Sequence, residues 1–271
     1  MILRAPYPDA ASGGSRLYTF NDAPTKPSVW KDMQATSSVT YDATSKRISA
    51  VANLGTLGGS LVPDTTATAP LYNATGFNTA LPAAMFNSND PDYLSMTFPQ
   101  WAQPATGVYV WQEGSSVRGY EVYVDHDAQS TGNRQQLFTQ YGGGPVYLVR
   151  GPVQGVETNV NLNTTAQAPN KINILIVEYN GTSSRIYYNG TPMGTYDLGT
   201  VLSNTGINIG GKRGDGATYF GGASSEVALF PAIFSGDAWD RITQSTMWKW
   251  GQQANIATGA TYKSAPPMVS A

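Results

Sequence analysis

The stretch "EVYVDHD" places Glu121, Tyr123, Asp125 and Asp127 at alternate positions, so a regular strand would carry all four side chains on one face. Carboxyl pairs on one face are the equipment of glycosidic hydrolysis, in which retaining chemistry needs a separation of about 5–5.5 Å and inverting chemistry about 6.5–9.5 Å. Residues i and i+4 of a strand lie roughly 13 Å apart, which makes Glu121 and Asp125 a poor pair. Asp125 and Asp127 have a workable spacing, but "DHDAQSTGN" reads as a strand end running into a loop. That loop also offers Asp125, Asp127 and Asn133 as oxygen ligands for calcium, at a spacing that matches no familiar calcium loop, so a solvated polar loop is the expectation. His126, the single histidine, has no partner serine or cysteine in a nucleophile motif, and a chain without cysteine builds neither a thiolate nor a multi-His metal cage. No catalytic residue, metal or cofactor is expected.

Sugar recognition would need an aromatic platform beside groups that donate and accept hydrogen bonds. Six tryptophans and sixteen tyrosines supply rings. Trp101 and Trp111, flanked by Gln100, Gln103, Gln112 and Glu113, are the expected exposed platforms. Most tyrosines stand in alternating runs and are expected to pack within sheets. In "KRGDGATYFGG" (212–222), Arg213, Asp215 and Tyr219 sit where a loop could touch a sugar or a neighbouring subunit. The Arg-Gly-Asp tripeptide alone is too short to signal adhesion.

The elements that would position these residues are strands. Alternation recurs in "GVYVWQ" (107–112), "YEVYVD" (120–125), "GPVYLVR" (144–150), "KINILIVEYN" (171–180), "SRIYYNG" (184–190) and "SEVALF" (225–230), separated by Gly, Asn, Pro and Ser. Asn189-Gly190 predicts a hairpin turn, and Asn180-Gly181 closes the strand before it. Both triplets read Asn-Gly-Thr, yet turn chemistry accounts for them better than glycosylation does. Helical spacing is confined to "SGDAWDRITQSTMWKWGQQ", where Ser235 or Asp237 caps the start, Trp239, Ile242, Thr246 and Trp250 form a face, and Gly251 stops the helix.

Composition narrows the partners. Only 13% of the 271 residues are charged, against roughly 25% in typical domains. The net charge of −2 gives no basic footprint for nucleic acid, and no apolar run approaches the roughly 18 residues of a membrane-spanning helix. "MILRAPYPDAASGG" has no apolar signal-peptide core, so export by the ordinary secretory route is not expected.

Taken in order, "INIGGKRGDGATYFGGASSEVALFPAIFSGDAWDRITQSTMWKWG" and the hairpin before it resemble the laminin-G-like branch of the concanavalin A-like lectin/glucanase superfamily. There a hairpin "Y-x-NG-x-x-x-G" precedes "I-x-IGG", "F-x-G-x-x-x-E-V-x-x-F" and a last helix ending "WKWG". Residues 186–190, Gly194, 207–211, 220–230 and 248–251 carry the match. More loosely, "VWKDM" (29–33), "KRISAVANLGTLGG" (46–59) and "LPAAMFNSNDPDYLSM" (81–96) extend it, so that it spans roughly 28–252. The resemblance implies an all-β fold, an antiparallel two-sheet jelly-roll sandwich with one C-terminal α-helix. Glucanases of the superfamily carry "E-x-D-x-x-E" or "E-x-D-x-E" on one strand; here Tyr123 stands in place of the middle acid, which speaks against hydrolysis. Domains of this type are frequent in surface-exposed structural proteins of bacterial viruses. The resemblance therefore implies a non-enzymatic virion structural protein, a capsid decoration or a tail or fibre component, assembled in the host cytoplasm and displayed on the virion surface. Its partners would be other virion proteins, copies of itself and host glycans. A free carbohydrate-binding module is the alternative, and a glycan hydrolase the third. The aperiodic ends, 1–27 and 253–271, are expected to be assembly arms tethered by a neighbouring subunit.

Overall fold

The computed structural model describes residues 15–77, 80–114, 122–125, 135–139, 147–153, 156–162, 171–199, 204–211 and 219–270. Two antiparallel sheets face each other, forming a β-sandwich of the jelly-roll class. The larger runs Thr191–Tyr196, Ser184–Tyr188, Ile172–Tyr179, Ala105–Glu113, Gly222–Phe230, Leu81–Phe86 and Leu71–Phe77, with Val29–Asp32 as its eighth strand beside Gly222–Phe230. The smaller runs Val156–Asn161, Tyr147–Val153, Gln136–Thr139, Val122–Asp125, Asn204–Ile209 and Leu94–Trp101. A three-stranded sheet of Val39–Tyr41, Ile48–Ala52 and Ser60–Leu61 is linked to both by single bridges, Arg47 to Leu71 and Val62 to Ser95.

The larger sheet is covered on both faces. Between the sheets, Tyr109, Trp111, Tyr123, Leu175, Val177, Ile207 and Leu229 share one core. On the outer face, Trp30, Val110, Ile174, Ala228 and Phe230 pack under Ile242, Met247 and Trp250 of the helix Gly236–Lys249. Every residue of Ala105–Glu113, Ile172–Tyr179 and Gly222–Phe230 is consequently buried. This is why "INILIV" is almost continuously apolar where a one-sided antiparallel sheet would alternate.

The helix begins at Ser235, which has extended backbone (φ −136°, ψ 162°) without a side-chain capping bond, and Asp237 places negative charge in the first turn. Gly251, at φ +69°, ends it in the left-handed region, and Gln252 N–H returns to Met247 O at 2.8 Å. The Asn189-Gly190 hairpin forms as expected, with φ +46° and +87°. Asn189 Oδ1 is committed to Ile174 N–H at 2.7 Å.

Gly222–Phe230 changes partner halfway along one edge. Gly222 to Ser224 pair with Leu81–Phe86, and Glu226 to Leu229 pair with Val29–Asp32. At the switch Ser225 is bulged relative to Ala105–Glu113, which inverts the phase of the alternation. Ser224 therefore points between the sheets while Glu226 points toward the helix. Lys31, also between the sheets and fully buried, donates to Ser224 O at 3.1 Å and Ser224 Oγ at 2.6 Å. Tyr123 OH lies 2.7 Å from the same hydroxyl. Burial pushes the Lys31 amine down to about 7, against the pull of Asp32 and Glu226. Between that value and the ordinary lysine range the unfolded chain binds the extra proton, so Lys31 makes stability rise with pH across this window. A Lys31→Met protein is expected to be more stable than wild type at pH 7, by about 1–3 kcal/mol, with the gap closing toward pH 10. Urea midpoints of both proteins at the two pH values check this, and a pH-independent gap would contradict it.

Both ends, from Ser15 and to Ser270, lie on this body. Ser15–Leu17 pairs with Met268–Ser270, and Tyr18, Phe20 and Ile256 belong to the outer core. Trp248 Nε1 donates to Tyr262 O at 2.8 Å and Tyr262 N–H to Gln244 Oε1 at 2.7 Å. These described segments are held by the chain's own strands and side chains.

Candidate functional site

Of the residues expected to recognise sugar, Trp101, Trp111 and Tyr219 fall within the described residues. Trp111, expected at the surface, is fully buried and stacks on Tyr123 with ring centroids 5.1 Å apart. Its polar neighbours Gln112 and Glu113 mark a central strand sealed on both faces, not a wet one. Trp101 ends the edge strand Leu94–Trp101 opposite Asn204. Tyr219 is half-buried near Gly211 and Tyr93, at the opposite end of that strand from Trp101. Asp125 pairs with Gln136 and Asn208 in the smaller sheet. Glu121, Asp127, Arg213 and Asp215 lie outside the described residues. Among the described residues, no group of three or more His, Asp or Glu side chains comes together to hold a metal ion.

Two other places gather chemistry. The first is a groove of about 550 Å³ along the three-stranded sheet, lined by Tyr41, Asp42, Arg47, Ile48, Ser49, Pro63, Asp64, Thr65 and Thr66. Tyr41, 37% exposed, stacks on Tyr72 with centroids 4.3 Å apart and planes 20° from parallel. Lys46 Nζ stands 5.7 Å from the Tyr41 centroid. The turn that aims Tyr41 is fixed by Asp42, whose Oδ1 accepts from Thr44 N–H, Ser45 N–H and Ser45 Oγ–H. These bonds, the Ser45 N–H first, hold the Asp42 carboxyl below the usual range. Arg47 is similarly committed, donating to Ala67 O at 3.1 Å and Ala69 O at 2.8 Å. Asp64 and Thr66 face the groove with no side-chain partner among the described residues. The result is an aromatic step flanked by an acceptor, a hydroxyl and balanced charge.

The second place is the buried cluster of Asp32, Glu226 and Lys249, with a cavity of about 140 Å³ beside it. Glu226 and Asp32 are cross-strand neighbours on the helix side of the sheet. Glu226 Oε1 accepts from Trp30 Nε1–H at 2.9 Å and Lys249 Nζ at 2.6 Å, and Oε2 from Trp250 Nε1–H at 2.7 Å. Lys249 also reaches Asp32 Oδ2 at 2.7 Å. Burial raises the Glu226 carboxyl above its ordinary range despite the opposing pull of Lys249. Two acids bound to one nitrogen at 2.7 and 2.6 Å have those oxygens within about 5.3 Å of each other, an upper limit that reaches the separation of a retaining pair, about 5–5.5 Å. Here the ammonium fills the space a glycosidic bond would need, so the cluster works as a tie between the helix and the first strand of the sheet. The sequence places its members in the motifs "VWKDM", "SEVALF" and "WKWG" but gives no sign that they meet. Tyr41 and Tyr72 left no local signal, because they meet only through the Arg47–Leu71 bridge.

No family model and no curated protein matches the chain. Among solved structures, it is similar to domain 4 of an extracellular arabinanase from Geobacillus stearothermophilus, solved with arabinotriose, at 13% identity and TM-score 0.49, covering 78% of this chain and 95% of that one. It is similar to the sialidase carbohydrate-binding module of Ruminococcus gnavus bound to α2,3-sialyllactose at 15% identity and TM-score 0.39, covering 52% and 80%. The binding domain of botulinum neurotoxin serotype D is similar at 10% identity and TM-score 0.48, covering 82% and 51%. At these scores no ligand is transferred to this chain.

Proposed function

We propose that the protein is a non-enzymatic, glycan-binding β-sandwich. The observation that carries this reading is the Tyr41–Tyr72 stack at the groove, a ring pair beside Asp64, Ser49 and Thr66. A pyranose packs its C–H face on such a ring, and its hydroxyls both donate and accept. Asp42 and Asp64 against Arg47 and Lys46 leave the groove without a dominant charge, which suits a neutral oligosaccharide better than a polyanion. Tyr41→Ala is expected to weaken retention of such an oligosaccharide about 10–100-fold, equivalent to about 1.4–2.8 kcal/mol. Screening the wild-type chain on a glycan array, followed by titration of the best hit into both proteins, tests this. A wild-type chain that retains no glycan, or a Tyr41→Ala protein that binds as well as wild type, would remove the groove as the site.

The setting we propose is a virion surface, with this chain as a capsid decoration or a tail or fibre component beside other virion proteins and copies of itself. Its support is the sequence resemblance together with the ribbon of Ser15–Leu17 and Met268–Ser270, which brings these two segments to one place on the sandwich where a neighbour would hold it. A free carbohydrate-binding module would share the groove and bind as a monomer. Particles assembled with and without the chain, compared for cell attachment, separate the two settings.

A further inference from the structure

Lys249 Nζ lies 2.7 Å from Asp32 Oδ2 and 2.6 Å from Glu226 Oε1. Glu226 is wholly enclosed, and the Lys249 and Asp32 side chains are each 10% exposed. Asp32 Cγ is one C–O bond beyond its oxygen, no more than about 4 Å from the nitrogen, near the range of about 3–3.5 Å from which bonds form. Three separate elements hold the groups. Asp32 closes the strand Val29–Asp32, and its Oδ1 accepts from Gln34 N–H at 2.9 Å. Glu226 is fixed by both indoles, and Lys249 ends the helix against the rings of Trp30 and Trp250.

We propose that Lys249 and Asp32 condense into an intramolecular amide, with Glu226 carrying the proton. The neutral Lys249 amine attacks Cγ of the protonated Asp32 carboxyl and forms the C–N bond. Glu226 Oε1 takes a proton from the nitrogen and passes it to the departing hydroxyl, the C–O bond breaks, and one water leaves. No electrons are exchanged, and no other reactant is consumed. The proton Asp32 needs is the one Lys249 gives up, so the ion pair and the reactive pair differ only in where one proton sits. Gln34 N–H polarises the carboxyl under attack, and the adjoining cavity, walled by Tyr18, Phe20 and Trp30, receives the water. The bond would tie the first strand of the larger sheet covalently to the C-terminal helix.

Intact mass of the purified full chain, measured denatured, is expected to fall about 18 Da below the sequence mass, one water per chain. Trypsin would leave Lys249 uncut, and tandem spectra would show the peptide Asp32–Lys46 joined to Ile242–Lys263. Glu226→Gln and Lys249→Met proteins are expected at full sequence mass. A wild-type chain at full mass, or a loss of water mapped to another residue, overturns the amide. A Glu226→Gln chain that still carries the linked peptide overturns the proton-carrying role. Should a variant fail to fold, the wild-type mass and its linked peptide still decide.

Discussion

Glu226→Ala is expected to lower stability by about 3–5 kcal/mol and the thermal midpoint by roughly 6–20 °C. The cause is the set of donors left behind. Glu226 is fully buried, and its carboxylate accepts from Trp30 Nε1–H, Trp250 Nε1–H and Lys249. Alanine leaves both indole N–H groups without their acceptor while Lys249 keeps Asp32, and each enclosed donor without a partner costs about 1–3 kcal/mol. The same change in a surface pair gives the contrast. Asp237 pairs with Arg241 one helical turn on, but its side chain is 59% exposed, so Asp237→Ala should cost less than about 1 kcal/mol. Calorimetric midpoints of the two variants separate burial from charge pairing as the source of stability. A Glu226→Ala protein within about 1 kcal/mol of wild type would mean that water from the adjoining cavity satisfies the indoles.

The groove and the buried cluster divide the work differently. The cluster spends its polar atoms on one another and holds the outer layer in place. The groove spends Asp42 and Arg47 on its own loops and leaves Tyr41, Asp64 and Thr66 to the outside. A ligand arriving there meets a surface whose shape is already fixed, which lowers the ordering cost of binding.

The strands and the helix were legible because their signals are local. "RIYYNG" carries its own turn, and Trp239, Ile242, Thr246 and Trp250 of "DAWDRITQSTMWKW" recur at helical spacing. What lay beyond the sequence was long-range. Gln112 and Glu113 after Trp111 suggest a wet face, yet the helix with Tyr18, Phe20, Ile256 and Val269 covers the outer face of that sheet and leaves its central strands no wet side. Glu226 was hidden by the bulge at Ser225: uninterrupted alternation would put it on the same side as Ser224's partner-facing neighbours, away from Lys249. Tyr41 and Tyr72 belong to strands that only tertiary pairing brings side by side. The segment from Gln253 onward carries no periodic signal because its bonds run to side chains such as Gln244 and Asp237 and its one strand, Met268–Ser270, pairs with Ser15–Leu17 at the other end of the sequence.

Gly190→Ala should loosen that segment while leaving the sandwich intact, at a cost of about 2–4 kcal/mol. Gly190 has φ +87° in the hairpin turn, where a Cβ alone costs about 1–2 kcal/mol. Here the Cβ would also stand 2.2 Å from Asn255 O and 2.5 Å from Asn255 C. Those are backbone atoms that no rotamer change can move aside, so either the hairpin or the segment from Gln253 onward must shift. The hairpin strand Ser184–Tyr188 is mostly buried and paired on both sides, with Ile172–Tyr179 and Thr191–Tyr196, whereas the segment is held largely by separate side-chain bonds, among them Trp248 to Tyr262 O and Tyr262 N–H to Gln244. The segment is therefore what gives way. Gly58→Ala supplies the control, since Gly58 has φ +64° with nothing within 4 Å of its Cβ; it should cost only the conformational part. Trypsin is expected to cut at Lys263 several-fold faster in Gly190→Ala than in Gly58→Ala or wild type, with the body resistant in all three. Equal cutting rates in the two glycine variants would show that the Asn255 contact does not hold the segment, and the tether would have to be sought at Tyr262 instead.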